Sequence, residues 1–147
     1  MKALSVLLLA LLAVGCHFDK LFNDSSGGAA SRGGPAPPTA THLLFTTQPS
    51  DAAPGTKITP PVQVAAVDDQ DNIVTSFNGT ISIAIGHDGS LLGGAQLSGT
   101  TSDVSLVNGV ATFADLSIDQ PGINYTLVAG NAQQWSVASR TFNVRVL

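Results

Sequence analysis

Few residues in this chain are of a type and spacing to do chemistry. The only thiol is Cys16, which excludes an internal disulfide framework and a Cys-rich zinc site. All 10 acidic residues are Asp, and Glu is absent. The densest oxygen group is Asp68, Asp69, Asp71 and Asn72. Calcium draws about six to eight oxygens from loop carboxylates and carbonyls. This spacing lacks the Gly and the bidentate Glu of an EF-hand loop. A solvated hairpin turn closed by Asx bonds is the preferred reading. A calcium site helped by Asp103 or Asp115 is the alternative. His87 and Asp88 adjoin in the Gly-rich stretch 86–99. They are candidate ligand contacts, although neighbouring His and Asp in a loop read first as a solvated turn. Trp135 follows Asn131-Ala132-Gln133-Gln134. A loop aromatic stacks on a sugar, anchors a protein contact or covers one end of a fold, and the packing role is preferred. No G-x-S-x-G, phosphate-cradling or dinucleotide motif is present. The expectation is therefore no catalytic residue, no cofactor and no enzyme.

Something must hold these residues, and the N-terminus comes first. It reads MKALSVLLLALLAVGC. Lys2 supplies a positive start, and Ala3 to Val14 form an apolar run of about a dozen residues. A spanning helix needs ~20, so this is the layout of a secretory signal. The run Leu12-Ala13-Val14-Gly15-Cys16 resembles the bacterial lipobox, with Ala13 where Leu is commoner. The resemblance implies lipid transfer to the Cys16 thiol and cleavage between Gly15 and Cys16. The alternative is an ordinary signal cut elsewhere. Two or three acyl chains hold a protein firmly where one binds marginally. His17 rather than Asp follows the Cys, which by analogy favours the outer membrane. The expected location is the bacterial cell envelope, periplasmic or surface-exposed.

Residues 16–41 carry the acylated Cys and then a tether rich in Gly, Ser and Pro. Gly27, Gly28, Gly33 and Gly34 precede Pro35, Pro37 and Pro38. Such composition cannot bury enough surface to offset chain entropy, so disorder is expected. About 25 flexible residues have a mean end-to-end distance of roughly 25–30 Å. Phe18, Leu21 and Phe22 either dip into the lipid interface or stay solvated.

From His42 the pattern changes. Leu44, Thr46 and Gln48 alternate with Leu43, Phe45 and Thr47, and Val62, Val64 and Ala66, Ile81, Ile83 and Ile85, Val104 and Leu106, Ala111 and Phe113, Tyr125, Leu127 and Ala129, and Phe142, Val144 and Val146 recur with period two. That is the mark of strands with one face buried. Asp71 or Asn72 is suited to a positive φ. Asn78-Gly79 and Asn108-Gly109 read as two-residue hairpin turns. Pro121-Gly122 reads as a corner. About seven short strands across 42–147 predict an all-β antiparallel sandwich. Tyr125 begins a strand after a turn, as does the tyrosine of the immunoglobulin-type corner, with Leu127 where an antibody domain has Cys.

The runs FTTQPSDAAPGTKITPPVQVAAVDDQDNIVTSF, ISIAIG, GGAQLSGT, VNGVATFADLSI, GINYTLVA and SRTFNV resemble bacterial immunoglobulin-like domains, related in fold to those of invasin- and intimin-type surface proteins. The resemblance covers residues 42–147. It implies that Gln48-Pro49-Ser50 ends the first strand, that Asn72 sits in a turn between strands, and that Leu97, Phe113, Leu116 and Tyr125 fill the core. Asp71 stands where a turn Gly is common. A single copy is present, so a long adhesive rod is not expected.

Charge narrows the partners. The net charge is −4, with 6 Lys and Arg. Nucleic acid is excluded, because phosphate binding needs clustered cations. The leading expectation is a non-catalytic, lipid-anchored module. It would meet an envelope or host-surface protein through its end loops or edge strands, in an adhesion-type or structural role. The alternative is a carbohydrate- or cell-wall-binding lipoprotein that meets polysaccharide through Trp135 and the 86–99 loop.

Overall fold

The alternating stretches do become strands. A computed structural model describes residues 36–146. The signal sequence, Gly15, Cys16 and the tether as far as residue 35 lie outside the described residues. The strands are β1 (His42–Thr47), β2 (Val62–Val67), β3 (Thr80–His87), β4 (Leu97–Ser98), β5 (Val104–Ser105), β6 (Val110–Phe113), β7 (Ser117–Ile118), β8 (Gly122–Asn131), β9 (Ser136–Ala138) and β10 (Phe142–Val144). No helix occurs among the described residues.

The described residues form an all-β antiparallel sandwich. One sheet has the order β1-β2-β6, and the other has β10-β8-β3-β5 with β9 also on β8. All of these pairings are antiparallel. Period two dictates what lies between the sheets. Leu43, Phe45, Val62, Val64, Ala66, Ala111 and Phe113 of the smaller sheet meet Ile81, Ile83, Tyr125, Leu127, Ala129, Phe142 and Val144 of the larger in one buried cluster. Leu116 joins it, whereas Leu97 is only partly buried at its margin.

Ten strands stand where about seven were expected. β4 and β7 form a separate two-stranded ribbon. β9 and β10 are one edge strand broken by a bulge at Ser139. There the Ser139 N–H donates to the Leu127 carbonyl at 2.8 Å. The Leu127 N–H in turn donates to the Ser139 hydroxyl oxygen at 2.9 Å, not to main chain.

Three local expectations are corrected. Ala40 is buried in the core, and the Thr41 N–H donates to the Val67 carbonyl. The last residues assigned to the tether therefore belong to the sandwich. Asn78-Gly79 makes no turn. The chain already reverses before it, where the Phe77 N–H donates to the Val74 carbonyl, and the Gly79 carbonyl then accepts from Leu106 N–H in an extended approach to β3. Val146 lies past β10 and is exposed.

Asn108-Gly109 does turn. Both residues have positive φ, at 51° and 77°. Val107 and Val110 exchange both main-chain hydrogen bonds across them. This is the primed two-residue turn that Asn-Gly favours. Its two legs then part: β5 joins the larger sheet and β6 the smaller. A side chain at Gly109 would put Cβ 2.5 Å from the Val74 carbonyl oxygen.

Candidate functional site

Loops gather at the two ends of the sandwich. Thr80 and Ile81 of β3 pair with β5, and the loop after His87 leaves from the far end of the same strand. The two ends are about 24 Å apart along β3 at the usual strand rise.

At the β5 end lies the acidic turn. Asp68 Oδ1 accepts from Gln70 N–H and Asn72 N–H, both at 2.9 Å. The Asn72 amide also donates to the Asp68 carboxylate at 3.3 Å. These bonds, led by the Asn72 N–H, hold the Asp68 carboxyl below its usual range. Asp71 takes the positive φ, 63°, and its carboxylate accepts from His42 Nε2 at 2.9 Å. Asp68 thus closes an Asx turn, its carboxylate facing N–H donors. Asp69 is exposed. Asp103 takes a positive φ, and its N–H donates to the Ser82 hydroxyl. The Asp115 carboxylate is taken by Thr100 N–H and hydroxyl, both at 2.9 Å. Among the described residues no three His, Cys, Asp or Glu converge on one point.

Thr41 Oγ1 lies 3.1 Å from His42 Nδ1. Hydroxyl, imidazole and the Asp71 carboxylate thus form a chain with the connectivity of a nucleophilic triad. It lacks the enclosure that would make one. The His42 and Asp71 side chains are 43% and 66% exposed, and the Thr41 N–H that could face an oxyanion is spent on Val67. The arrangement fastens the start of β1 to the turn.

Trp135 is half-buried in the hairpin between β8 and β9. Its N–H donates to Asn131 Oδ1 at 3.1 Å. Its ring lies against Phe77, with centroids 5.6 Å apart and planes tilted by 31°. It covers the β5 end of the core.

At the other end, Asp88 organises the loop. Its carboxylate accepts from the N–H groups of Ser90 at 2.9 Å, Gly94 at 2.8 Å and Ala95 at 3.2 Å. The Ser90 hydroxyl and the main-chain N–H groups of Ser90, Ala95 and Gly94 lower its pKa to about 2. His87 is exposed, and no hydrogen bond joins it to Asp88. Asp88 thus braces its own loop. Gly89 and Gly122 let two backbones meet here, since a Cβ on Gly122 would sit 2.2 Å from the Gly89 carbonyl oxygen. The Tyr125 hydroxyl donates to the Gln120 carbonyl at 3.0 Å, closing the corner at Pro121-Gly122. Burial raises the pKa of this phenol.

Two apolar features escaped the reading of the sequence. The braced loop holds Leu91 and Leu92 out into water, 92% and 95% exposed, beside Pro121 and Ile123. Beside β5, Ile73, Val104, Val107 and Val110 line a groove of about 500 Å³ that runs onto the outer face of the smaller sheet at Thr46, Gln63 and Thr112. Adjacent leucines between glycines, outside any alternation, were the available signal for the first. The second depends on β5 and β6 parting at Asn108-Gly109.

Compared with known proteins, the chain matches no family model, no curated protein and no solved structure.

Proposed function

We propose that this protein is a non-catalytic, lipid-anchored module of the bacterial cell envelope that displays one immunoglobulin-like domain for contacts with other proteins. The reading of the sandwich as immunoglobulin-like is supported by the order β1-β2-β6 against β10-β8-β3-β5 and by the hydrogen bond from the Tyr125 hydroxyl to a carbonyl five residues upstream. The anchor rests on Gly15-Cys16 at the end of a short apolar run.

One observation carries the binding role. The carboxylates of Asp68, Asp88 and Asp115 are spent on bracing loops, while the loop braced by Asp88 presents bare leucine side chains. A rigid loop that holds apolar surface in water is an arrangement for docking. The polysaccharide alternative gains nothing from the geometry, because the Trp135 ring packs against Phe77.

The test combines fatty-acid labelling with protease shaving of intact cells, for the wild type and Cys16→Ser. The wild type is expected to take up label and the variant to take up none. Cleavage on intact cells would support surface display. Protection until the envelope is opened would support a periplasmic role. A wild type without label would overturn the anchor.

A further inference from the structure

Asp or Asn precedes Gly three times among the described residues, at Asn78-Gly79, Asp88-Gly89 and Asn108-Gly109. At such a pair the chain can attack itself. The glycine main-chain nitrogen, with no Cβ beside it, can close on the side-chain carbonyl carbon before it and form a five-membered imide. Closure requires the peptide unit between the two residues to rotate, so the fold decides which pair reacts.

Two of the pairs are held. The Asp88 carboxylate accepts from three main-chain N–H groups. Gly89 is pressed on the facing chain, where a Cβ would sit 2.0 Å from the Ile123 carbonyl oxygen. Asn108-Gly109 is clamped by the two hydrogen bonds between Val107 and Val110. Gly109 is buried there against the Val74 carbonyl.

Asn78-Gly79 is different. Both residues are exposed. Among the described residues, neither the Asn78 carbonyl nor the Gly79 N–H makes a main-chain hydrogen bond. The Asn78 amide donates to the Ser76 carbonyl at 3.3 Å, a long bond. The peptide unit between them is therefore free to swing without breaking a ladder bond. Nor does the fold need glycine at 79. Its φ lies outside the left-handed region, and an added Cβ would meet Phe77 Cε1 at 3.6 Å and Leu106 Cδ1 at 4.0 Å, which is ordinary contact.

We propose that Asn78 is a site of spontaneous covalent modification, at which the Gly79 nitrogen displaces the side-chain amide of Asn78. The Gly79 N–H gives its proton to base, and the nitrogen bonds to Asn78 Cγ. The Cγ–Nδ2 bond breaks and the amide nitrogen leaves as ammonia. Water then opens the imide at either carbonyl. Breaking the new bond to Cγ leaves aspartate in an unchanged main chain. Breaking the original main-chain bond leaves isoaspartate, whose main chain is one carbon longer. No oxidant or reductant takes part, and each product carries one more negative charge. The change falls between two contacts at the β5 end: Phe77, whose ring lies on Trp135, and Gly79, whose carbonyl accepts from Leu106 N–H. The extra carbon of isoaspartate should loosen the aromatic cover there. This chemistry needs neither the lipid anchor nor a protein partner.

The test incubates the full folded chain in mildly alkaline buffer, beside the same chain in urea. Digestion and mass spectrometry follow each asparagine, and methylation by an isoaspartyl methyltransferase detects isoaspartate. In the folded chain Asn78 is expected to convert at least ten-fold faster than Asn108. In urea the two should convert within about three-fold of each other. Gly79→Ala should slow conversion at Asn78 at least ten-fold while Asn108 stays protected, which shows that the variant is folded. Trp135 emission should move toward its unfolded value as isoaspartate accumulates. Equal rates at the two asparagines in the folded chain would overturn the proposal. So would an Asn78 that stays intact when folded while the urea sample converts. Trp135 emission that ignores complete conversion would overturn the link to the aromatic cover.

Discussion

Asp68, Asp88, Asp115 and Asp119 each aim a carboxylate at main-chain N–H groups of their own or a facing loop. A short acidic side chain reaches such donors where Glu would overshoot. That suits Asp rather than Glu at these four positions. The pH consequence follows from the sign of the shift. Asp88 titrates at about 2 when folded, against 3.8 for the free side chain. Its support for the loop is complete above pH 4 and is lost as pH falls through about 2. Amide exchange of Gly94 and Ala95 should accelerate over that window in the wild type, and Asp88→Asn should flatten the response. Tyr125→Phe should cost about 0.5–1.5 kcal/mol in urea unfolding, the usual net worth of one hydrogen bond. Tyr125 could be found in the sequence because its role depends on a local turn. The His42–Asp71 pair could not, since 29 residues separate its partners.

Strands and turns were legible wherever the signal was local. Period two named the core-facing side of β2, β3 and β8 because one face of each lies on the core; in β1 it left two faces open. The two Asn-Gly pairs show where local signals stop. Asn108-Gly109 turns, because Val107 and Val110 on either side can exchange hydrogen bonds. Asn78-Gly79 stays extended, because the turn at Val74 to Phe77 has already reversed the chain. The division of β5 and β6 between two sheets is decided by pairing with distant β3 and β2, which no window contains. The tight glycines give element-level tests. Gly109→Ala should destabilise by roughly 1–3 kcal/mol through overpacking against Val74, with further strain from its φ of 77°. Gly122→Ala should do likewise by forcing Gly89 away. Thermal melts of both variants would measure this.

Both sheets share one core, so damage inside it should spread through the molecule while changes at the ends stay local. Leu127→Ala should cost about 2–5 kcal/mol, read from the urea midpoint. Leu91→Asp with Leu92→Asp should leave that midpoint within about 0.5 kcal/mol of the wild type. The aromatic residues add a means of watching this. The chain has one Trp and one Tyr. Trp135 rests on Phe77 at the β5 end, and Tyr125 is bonded to Gln120 at the other. Each end thus carries its own optical reporter. During denaturation, Trp135 emission and the near-ultraviolet signal of Tyr125 should move with the same midpoint if the sandwich unfolds as one cooperative body. Separate midpoints would resolve two ends that let go independently, without any added label.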